Sequence, residues 1–519
     1  MKIIKLFAAF LTVFIIVAFT INHFSSSSAS KDSKNKVIKK EVPSKETEKI
    51  HVSDYSNAQE ALDHSFGKPL TIPSGNRLFI NVPSKNYPTI QTALDDLKLK
   101  KVERGSKIEI SLKPGIYDYK EQLLADGLNA SLVDIKGQEP IKITSSGVHA
   151  ISHHTFKIEY YANDYKNLNY YDITYNVSSV VGITPGQFVI IKNTSGAANH
   201  YYHQGAWEIT DVDSKNKRIT VLYTGNSLPP KEVKAAMTIP KTVIRWTKNT
   251  TALLADHNTS LGSINNVVFV GTGRPEKDQS TRRSVKGWDM VGGHGGVTGI
   301  IARNGSEVTL GSNFAISSFS GSNVYATQSA HIDAKESVSS SSGRVGFGAS
   351  SGASIQVVGA IASGNLLDGI VAQDNSFAFA KTALSIGNHR HGFVASGNGT
   401  VNSDLGKALG NLYSGAVSIG STMNANSLVA NNNGENGLWV YNGGKARAVG
   451  LITKFNKKYG LVAQTGSHIT ASNVNTSGNS IKDIYALDMS NILVSGYVGP
   501  STFEPPLNIT SKDGSYIKN

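Results

Sequence analysis

Polar residues that could take part in catalysis recur along the C-terminal half of this 519-residue chain, at steps of 22 or 23 residues. They are Asp368, Arg390, His391, Tyr413, Glu435 and Asn436. A base such as His391 or Tyr413 could remove the proton next to a carboxyl group, and a cation such as Arg390 could stabilise the negative charge that develops. Hydrolysis of a glycosidic bond would instead need two carboxyl groups ~5 to 9.5 Å apart.

We therefore take Asp368, Arg390, His391 and Tyr413 as candidate catalytic residues. Their alternative interpretation is a solvated polar edge with local ion pairs. The repeats offer no pair of acids at hydrolase spacing, so a hydrolase would need Asp289, near KGWDMVGGHGG, or an acid from the insert or from a neighbouring chain.

A regular repeat must position these residues. Glycine or a polar residue followed by an apolar one recurs at steps of 22 to 24 residues, at Gly299, Asn323, Gly346, Gly369, Gly392, Gly415, Gly437, Gly460 and Asp483. Large and small apolar residues then alternate with period two, as in Phe393 and Ala395. Alternation of this kind is typical of strands, and the constant period predicts a parallel β-helix with turns of about 23 residues.

An asparagine column accompanies the repeat at Asn365, Asn388, Asn411, Asn433, Asn456 and Asn479. We predict that each side-chain amide bonds to the equivalent asparagine on the next turn, at a bend where asparagine tolerates a left-handed backbone. The glycine four residues later is expected to supply backbone freedom for the next bend.

Side chains that point outwards are not dictated by the repeat. The outward position between the two inward columns holds valine on most turns, but Tyr325 and Trp439 are large aromatics. They are candidate sugar platforms, together with Glu435 and Asn436 as polar contacts to a substrate. Shielding by a loop or by another subunit is the alternative explanation of the aromatic residues.

The N-terminal part of the repeat region combines a strand, an amphipathic helix and a second strand. The segment YPTIQTALDD, followed by a strand and KPGIYDY, resembles the entry segment of pectate-lyase-like right-handed parallel β-helix proteins, including phage tailspike proteins. The resemblance covers this entry and the C-terminal repeats. It implies an all-β, single-stranded right-handed solenoid with an N-terminal capping helix, and it implies action on polysaccharide as a lyase, a hydrolase or a non-catalytic binder.

The expected domain organisation has three parts. Residues 1–24 hold an apolar stretch after two lysines and predict a signal peptide or signal anchor. Residues 25–75 are a basic Ser/Lys-rich linker. Residues 76–519 are the β-helix, with regular repeats at 299–500 and a small β insert at about 183–225, where Trp207 is expected to be packed rather than exposed to sugar.

Composition excludes several classes of protein. The absence of cysteine removes disulfides, thiol nucleophiles and Cys-ligated zinc. The net charge of +13 arises partly from the N-terminal lysines, and no run alternates basic and aromatic residues, so we predict no nucleic-acid partner. Lyases of the resembled family often bind calcium through acidic clusters; no comparable cluster occurs here, so no metal or other cofactor is predicted.

These observations predict a secreted or cell-surface protein whose partner is polysaccharide. It would bind and cleave the polymer as a lyase or glycoside hydrolase; the alternative is a non-catalytic carbohydrate-binding or adhesin-like protein. A membrane anchor through residues 1–24 and a homotrimer stay open.

Overall fold

Apolar and polar residues alternate within short segments of the chain, and these segments stack as parallel strands in three long sheets. The computed structural model describes residues 71–496, 509–511 and 515–518, apart from 73–76, 99–100, 103–105, 127–128, 131–132, 162–163 and 274–296. The predicted signal segment at 1–24 lies outside the described residues, and so does the predicted linker apart from Thr71–Ile72. No helix in the described part is long and apolar enough to cross a membrane.

Each regular turn of the coil, from Thr242–Trp246 to Lys482–Ala486, contributes one strand to each sheet. The twelve-stranded sheet contains Leu123–Asp126, Leu253–Asp256, Ile300–Ala302, Val324–Ala326, Phe347–Ala349, Ile370–Ala372, Phe393–Ser396, Ala416–Ile419, Leu438–Tyr441, Tyr459–Ala463, Lys482–Ala486 and Ile509–Ser511. The eleven-stranded sheet contains Gly115–Tyr119, Thr242–Trp246, Val267–Val270, Ala315–Ser317, Val338–Ser340, Ile361–Ser363, Leu384–Ile386, Lys407–Leu409, Val429–Asn431, Ile452–Lys454 and Asn475–Ser477.

The fifteen-stranded sheet contains Arg77–Val82, Lys107–Leu112, Asn129–Ala130, Val133–Gly137, Ser260–Asn265, Glu307–Leu310, His331–Asp333, Ser354–Gln356, Phe377–Phe379, Thr400–Asn402, Thr422–Asn424, Lys445–Val449, His468–Ser472, Asn491–Ser495 and Tyr516–Lys518. Thr71–Ile72 and Lys101–Val102 form a separate parallel pair. The predicted parallel β-helix is therefore confirmed.

The helix α1 (Ile90–Lys98) caps the N-terminal end of the apolar core. It buries Ile90, Ala93, Leu94 and Leu97 on one face, the stripe that the sequence predicts. The inward columns are also as predicted: Phe347, Ile370 and Phe393 lie in register on adjacent strands and are fully buried. Because each inward side chain packs on its equivalents above and below, the core is one continuous stack.

The asparagine column forms the predicted ladder. Nδ2 of Asn388 donates to Oδ1 of Asn411 at 2.9 Å, and the backbone N–H of Asn388 donates to the same oxygen at 3.1 Å. The same two hydrogen bonds link the other neighbouring pairs from Asn365 to Asn479. At the C-terminal end Oδ1 of Asp483 accepts from Nδ2 of Asn479 at 2.7 Å, so the last amide is also satisfied.

Two details of the predicted bends are wrong. The left-handed backbone belongs to the residue before each ladder asparagine, for example Gly387 (φ 59°) and Gly410 (φ 62°), and not to the asparagine itself. The glycines four residues after the ladder position are needed for space, because a Cβ on Gly392 would lie 2.4 Å from the carbonyl oxygen of Gly415. Close approach of neighbouring turns, rather than backbone freedom, therefore requires them.

An antiparallel closed barrel interrupts the coil. Its strands are Ile141–Tyr161, Asp164–Val177, Phe188–Gly196, Gly205–Asp213, Arg218–Tyr223 and Val233–Ile239, with a 3₁₀ helix at His200–His203. The segment 183–225, predicted as an insert, lies inside this larger unit. Trp207 is buried in the barrel core and its Nε1 donates to the carbonyl oxygen of His203 at 2.9 Å, so it has no ring face for a sugar.

The barrel packs on the outer face of the eleven-stranded sheet. Phe188, Ile190 and Ala206 of the barrel form one apolar cluster with Val338 and Ile361 of that sheet. At the sheet's edge the barrel hydrogen-bonds the left-handed glycines, with the N–H of Asn226 donating to Gly387 O at 2.9 Å. A Cβ on Gly410 would lie 2.7 Å from the ring of Tyr202, so a larger residue there would push the barrel away.

The ladder generates a first prediction. Asn411→Ala should lower the stability by about 1 to 3 kcal/mol, because the N–H and Nδ2 donors of Asn388 lose their shared acceptor inside the protein. The midpoint of chemical denaturation measures this loss. Thr422→Ala, at an exposed position of the fifteen-stranded sheet, is the control and should change the midpoint little; equal midpoints for the two variants would show that the ladder is energetically unimportant.

Candidate functional site

A cleft of about 480 Å³ lies on the outer face of the twelve-stranded sheet. Val371 and Val394 form its floor, and each is only 4 % exposed because the side chains of the two flanking columns rise above them. These outward valines are therefore buried side chains and not exposed surface residues. Tyr325 lines one end and Tyr441 the other. Five strand steps separate their rungs, which corresponds to ~24 Å along the coil.

Asp368, one of the predicted catalytic residues, lies at the base of one wall and is fully buried. Nε of Arg390 donates to its Oδ1 at 2.8 Å, Nη2 of Arg390 bonds Oδ2, and the backbone N–H of His391 donates to Oδ1 at 3.1 Å. Burial would raise the pKa of Asp368, but the charge and hydrogen bonds of Arg390 outweigh it and the pKa lies below its usual value. Asp368 is therefore an ionised anchor for Arg390, not a base.

His391 lines the same wall and is half-buried. Burial lowers the pKa of His391 to about 4, although the nearby Asp368 carboxylate opposes this, so the ring is neutral near pH 7. Its Nδ1 accepts the backbone N–H of Ser414 at 3.1 Å. A neutral imidazole that accepts at Nδ1 carries its proton on Nε2. In this arrangement His391 is a hydrogen-bond donor at Nε2, and the alternative in which it serves as the base loses support.

Arg344, which the sequence analysis did not select, brings a second guanidinium to the cleft. It stands two turns before Arg390 in the same column, since the N–H of Leu367 bonds Arg344 O and the N–H of Arg390 bonds Leu367 O. Within the described residues its exposed guanidinium has no hydrogen bond or ion pair. Following the column of Arg390 back by two turns would have found it.

Tyr325 is held at its end of the cleft by the glycine on the next turn. A Cβ on Gly348 would lie 2.4 Å from Cε2 of Tyr325, so only glycine leaves room for the ring to lie across that strand. Burial raises the pKa of Tyr325, while a hydrogen bond with Ser350 and the charge of Arg344 oppose the shift. The predicted substrate-binding position is thus part of the cleft.

The other end of the cleft is aromatic. Trp439, a predicted substrate-binding residue, stacks on Tyr441 with ring centroids 4.3 Å apart, and its Nε1 donates to Oε1 of Gln464 at 2.7 Å. Tyr441 itself lines the cleft and was not predicted, although it is the next outward residue on the same strand. Burial raises the pKa of Tyr441 and the charge of Arg390 opposes this shift.

Like Trp439, three further predicted residues lie beside the cleft rather than in its lining. The ring of Tyr413 is 5.6 Å from that of His391. Glu435 accepts from Nζ of Lys458 at 2.6 Å, which agrees with a local ion pair. Asn436 is buried, and its Nδ2 donates to Oγ of Ser414 at 3.1 Å. Asn436 thus links its strand to Ser414 on the preceding turn, and its contact to a substrate stays a prediction.

The carboxylates do not form a hydrolytic pair here. Asp368 is the only acid among the described residues that line the cleft, and Asp289 lies outside the described residues. Asp126 and Asp256, which the sequence analysis missed, are direct partners on adjacent strands of the same sheet. Asp256 is 3 % exposed, however, and its two oxygens accept from Arg303, Asn304 and the N–H of His257. It is not accessible to a sugar.

No group of three or more acidic or histidine residues that could hold a metal ion occurs in the part of the chain that the structure describes.

Comparison with known proteins gives structural likenesses only. No family model and no curated protein sequence matches the chain. Among solved structures, the periplasmic alginate epimerase AlgG is 13 % identical, with 54 % of this chain and 73 % of that chain covered and a TM-score of 0.38. The A-module of the Azotobacter vinelandii mannuronan C-5 epimerase AlgE6 is 12 % identical, with 83 % and 94 % covered and a TM-score of 0.38.

The tailspike gp61 of Pseudomonas phage phi297 is 11 % identical, with 79 % of this chain and 73 % of that chain covered and a TM-score of 0.31. The chain is a parallel β-helix protein. Its own strand pairing establishes this architecture, and the activities named for the three similar proteins are theirs.

The environment of His391 generates a prediction about pH. Its pKa is about 4 in the folded protein against 6.5 for the free side chain, so the unfolded chain binds a proton more readily between these values. Stability should therefore fall as the pH is lowered from about 6.5 towards about 4. In His391→Asn, whose Oδ1 can still accept from Ser414, the melting temperature should depend less on pH in this window.

Circular dichroism melts at a series of pH values measure the effect. His331→Asn, on the outer face of the fifteen-stranded sheet, controls for the removal of a histidine. Parallel curves for the native protein and His391→Asn would contradict the burial of a neutral imidazole at this site.

Proposed function

We propose that this protein binds an acidic, uronate-containing polysaccharide along the cleft. The observation that carries the proposal is the column of two guanidiniums on one wall, with that of Arg344 exposed and unpaired among the described residues. The two rungs are ~9.6 Å apart along the coil. A guanidinium presents a planar fork of donors that matches a carboxylate, so the exposed Arg344 suits a carboxylate of an extended acidic polymer. Arg390, whose Nε and Nη2 are bonded to Asp368, adds a second guanidinium to the same wall.

The rest of the cleft is consistent with a sugar chain. Its floor is apolar, formed by Val371 and Val394, and its ends are the rings of Tyr325 and Tyr441. Aromatic and aliphatic surfaces suit the apolar faces of sugars, while the opposite wall offers the amide of Gln373 and the hydroxyl of Ser396 to sugar hydroxyls.

The first test is a binding panel of polygalacturonate, alginate and hyaluronan, with dextran as a neutral polymer. We expect an acidic polymer to bind and dextran to bind weakly or not at all, with affinity that falls as salt is added. Arg344→Ala should weaken binding about tenfold, since a charged hydrogen bond is worth about 1.5 to 3 kcal/mol. Arg447→Ala, an exposed arginine on the fifteen-stranded sheet, removes the same charge elsewhere and should leave binding unchanged.

A second candidate function is cleavage of that polymer by β-elimination. In such a reaction a base removes the proton α to the uronate carboxyl, a C=C bond forms, and the bond from the ring to the glycosidic oxygen breaks as that oxygen is protonated. Arg344 would hold a carboxylate of the polymer, and the Nε2–H of His391 would donate to the charge that develops on the carboxylate of the reacting uronate. In this reaction Tyr441, which lines the cleft, would donate the proton to the glycosidic oxygen, and Tyr413, whose ring lies 5.6 Å from that of His391, would be the base.

Release of an unsaturated uronate, followed by its absorbance, tests this reaction. His391→Asn and Tyr441→Phe should each reduce turnover ~10² or more, whereas Arg447→Ala should have no effect. If an acidic polymer binds and no unsaturated product forms, the protein is a binder, as in the alternative drawn from the sequence. If the native protein cleaves and both variants remain fully active, the chemistry takes place elsewhere on the chain.

A polysaccharide ligand fits the export predicted from residues 1–24, because such polymers lie outside the cytoplasm or at the cell surface. Retention of that segment as an anchor and assembly as a homotrimer remain predictions.

A further inference from the structure

A second aromatic surface follows the cleft on the same face of the coil. It is built on three consecutive strands, Leu438–Tyr441, Tyr459–Ala463 and Lys482–Ala486. Trp439 stacks on Tyr441 with an interplanar angle of 19°, and Tyr459 stacks on Tyr485 with centroids 4.9 Å apart and an angle of 12°. All four rings are half-buried, so each is fixed by packing and still presents part of its surface to solvent.

The register of the strands fixes the geometry of this aromatic surface. Trp439 and Tyr485 occupy the same outward column, with Val462 on the strand between them. The two aromatic positions are therefore two rungs, or ~9.6 Å, apart along the coil. The rings and their neighbours cover Val462, which is 1 % exposed.

Shielding of the sheet does not explain rings of this size. In the same column, Val371 and Val394 on the cleft floor are each 4 % exposed although no aromatic residue occupies the outward position on their strands. Large aromatics are thus not required to cover this face. The two stacked pairs, whose ring planes are nearly parallel, provide flat surfaces that aliphatic side chains could not.

The aromatic surface is continuous with the cleft, because Tyr441 lines the cleft and stacks on Trp439. Two lysines lie beside this surface. The side chain of Lys458 is 46 % exposed and its ammonium bonds Glu435, while Lys482 is the register partner of Tyr459 on the next strand. A chain that leaves the cleft at Tyr441 in the direction of the coil axis would meet these rings next.

We propose that Trp439, Tyr459 and Tyr485 form an extension of the binding track that stacks on the next sugars of a polymer held in the cleft. This inference rests on the proposed function. It assigns sugar binding to Tyr459 and Tyr485 and predicts that affinity increases with polymer length beyond what the cleft alone accommodates. In this arrangement Arg344 binds a carboxylate of the polymer, and the aromatic rings bind the apolar faces of the sugar rings.

Calorimetry with size ladders prepared from polygalacturonate, alginate and hyaluronan tests the extension. For an acidic ladder that binds, long oligomers should bind the native protein about tenfold more tightly than di- and trisaccharides do. Tyr459→Ala and Tyr485→Ala should each remove about 2- to 10-fold of that gain, from an aromatic contact of about 0.5 to 1.5 kcal/mol, and leave the short oligomers unaffected. Tyr485→Phe keeps the ring and should behave as the native protein.

Quenching or shift of Trp439 fluorescence by long but not short oligomers gives a second readout, with Trp439→Phe as the blank. If properly folded Tyr459→Ala and Tyr485→Ala retain the full gain with length, or lose short and long oligomers equally, the extension is wrong. The extension is also wrong if Arg344→Ala is the only one of these variants that weakens the binding of short and long oligomers, because the cleft would then be the whole binding site. If no acidic oligomer of any length binds, the proposed function fails and the extension with it.

Discussion

Direct superposition of equivalent residues on successive turns is the constraint on which the rest of this structure depends. Parallel strands must lie ~4.8 Å apart to share their hydrogen bonds, so each side chain inside the coil contacts the same position one turn away. Apolar residues meet this condition by packing, as in the column that contains Phe393. The polar column of asparagines meets it by hydrogen bonding, because an amide both donates and accepts and so can link an unlimited series.

The same constraint explains the two kinds of glycine. Where neighbouring turns approach most closely, as at Gly392 and Gly415, there is no room for a side chain. Where the chain turns out of the eleven-stranded sheet, as at Gly387 and Gly410, the backbone is left-handed. The second set also creates a ridge of bare backbone, and the barrel uses it: the chain near Asn226 and Tyr202 lies directly against these glycines. A bend needed by the coil thus becomes a docking surface for the insert.

On the outer surface of the coil, the superposition of successive turns produces the candidate site. Residues one or two turns apart become neighbours, so Arg390 reaches the buried Asp368 of the preceding turn and Arg344 stands above it in the same column. The charge of Arg390 keeps the buried Asp368 ionised. The Asp368 carboxylate in turn accepts the backbone N–H of His391 and so fixes the wall of the cleft at that residue. The cleft exists because the floor positions hold valine and Gly348 while Tyr325 and Tyr441 rise at the ends.

The sequence by itself determined the coil. Its 23-residue period, the inward columns and the asparagine ladder were all predictable, because each residue in such a stack is constrained by an equivalent residue at a constant distance along the chain. It also determined part of the site, since Asp368, Arg390, His391 and Tyr325 do line one cleft. Arg344 and Tyr441 lay in or next to columns already recognised and could have been found by extending them.

Only the tertiary structure decided the roles within the site and the extent of the barrel. The backbone N–H of Ser414 decides which ring nitrogen of His391 carries the proton, and the depth of burial decides whether Asp368 is accessible to a substrate. Neither property follows from residue type. The barrel interrupts the period with strands that pair antiparallel among themselves, so stacking places no constraint on its sequence. The tetrapeptide Leu-Leu-Ala-Asp occurs on both sides of it, at Leu123–Asp126 and Leu253–Asp256, and these two strands pair directly. The coil resumes after the barrel in the register it had before, because the turns that precede and follow the barrel must still superpose.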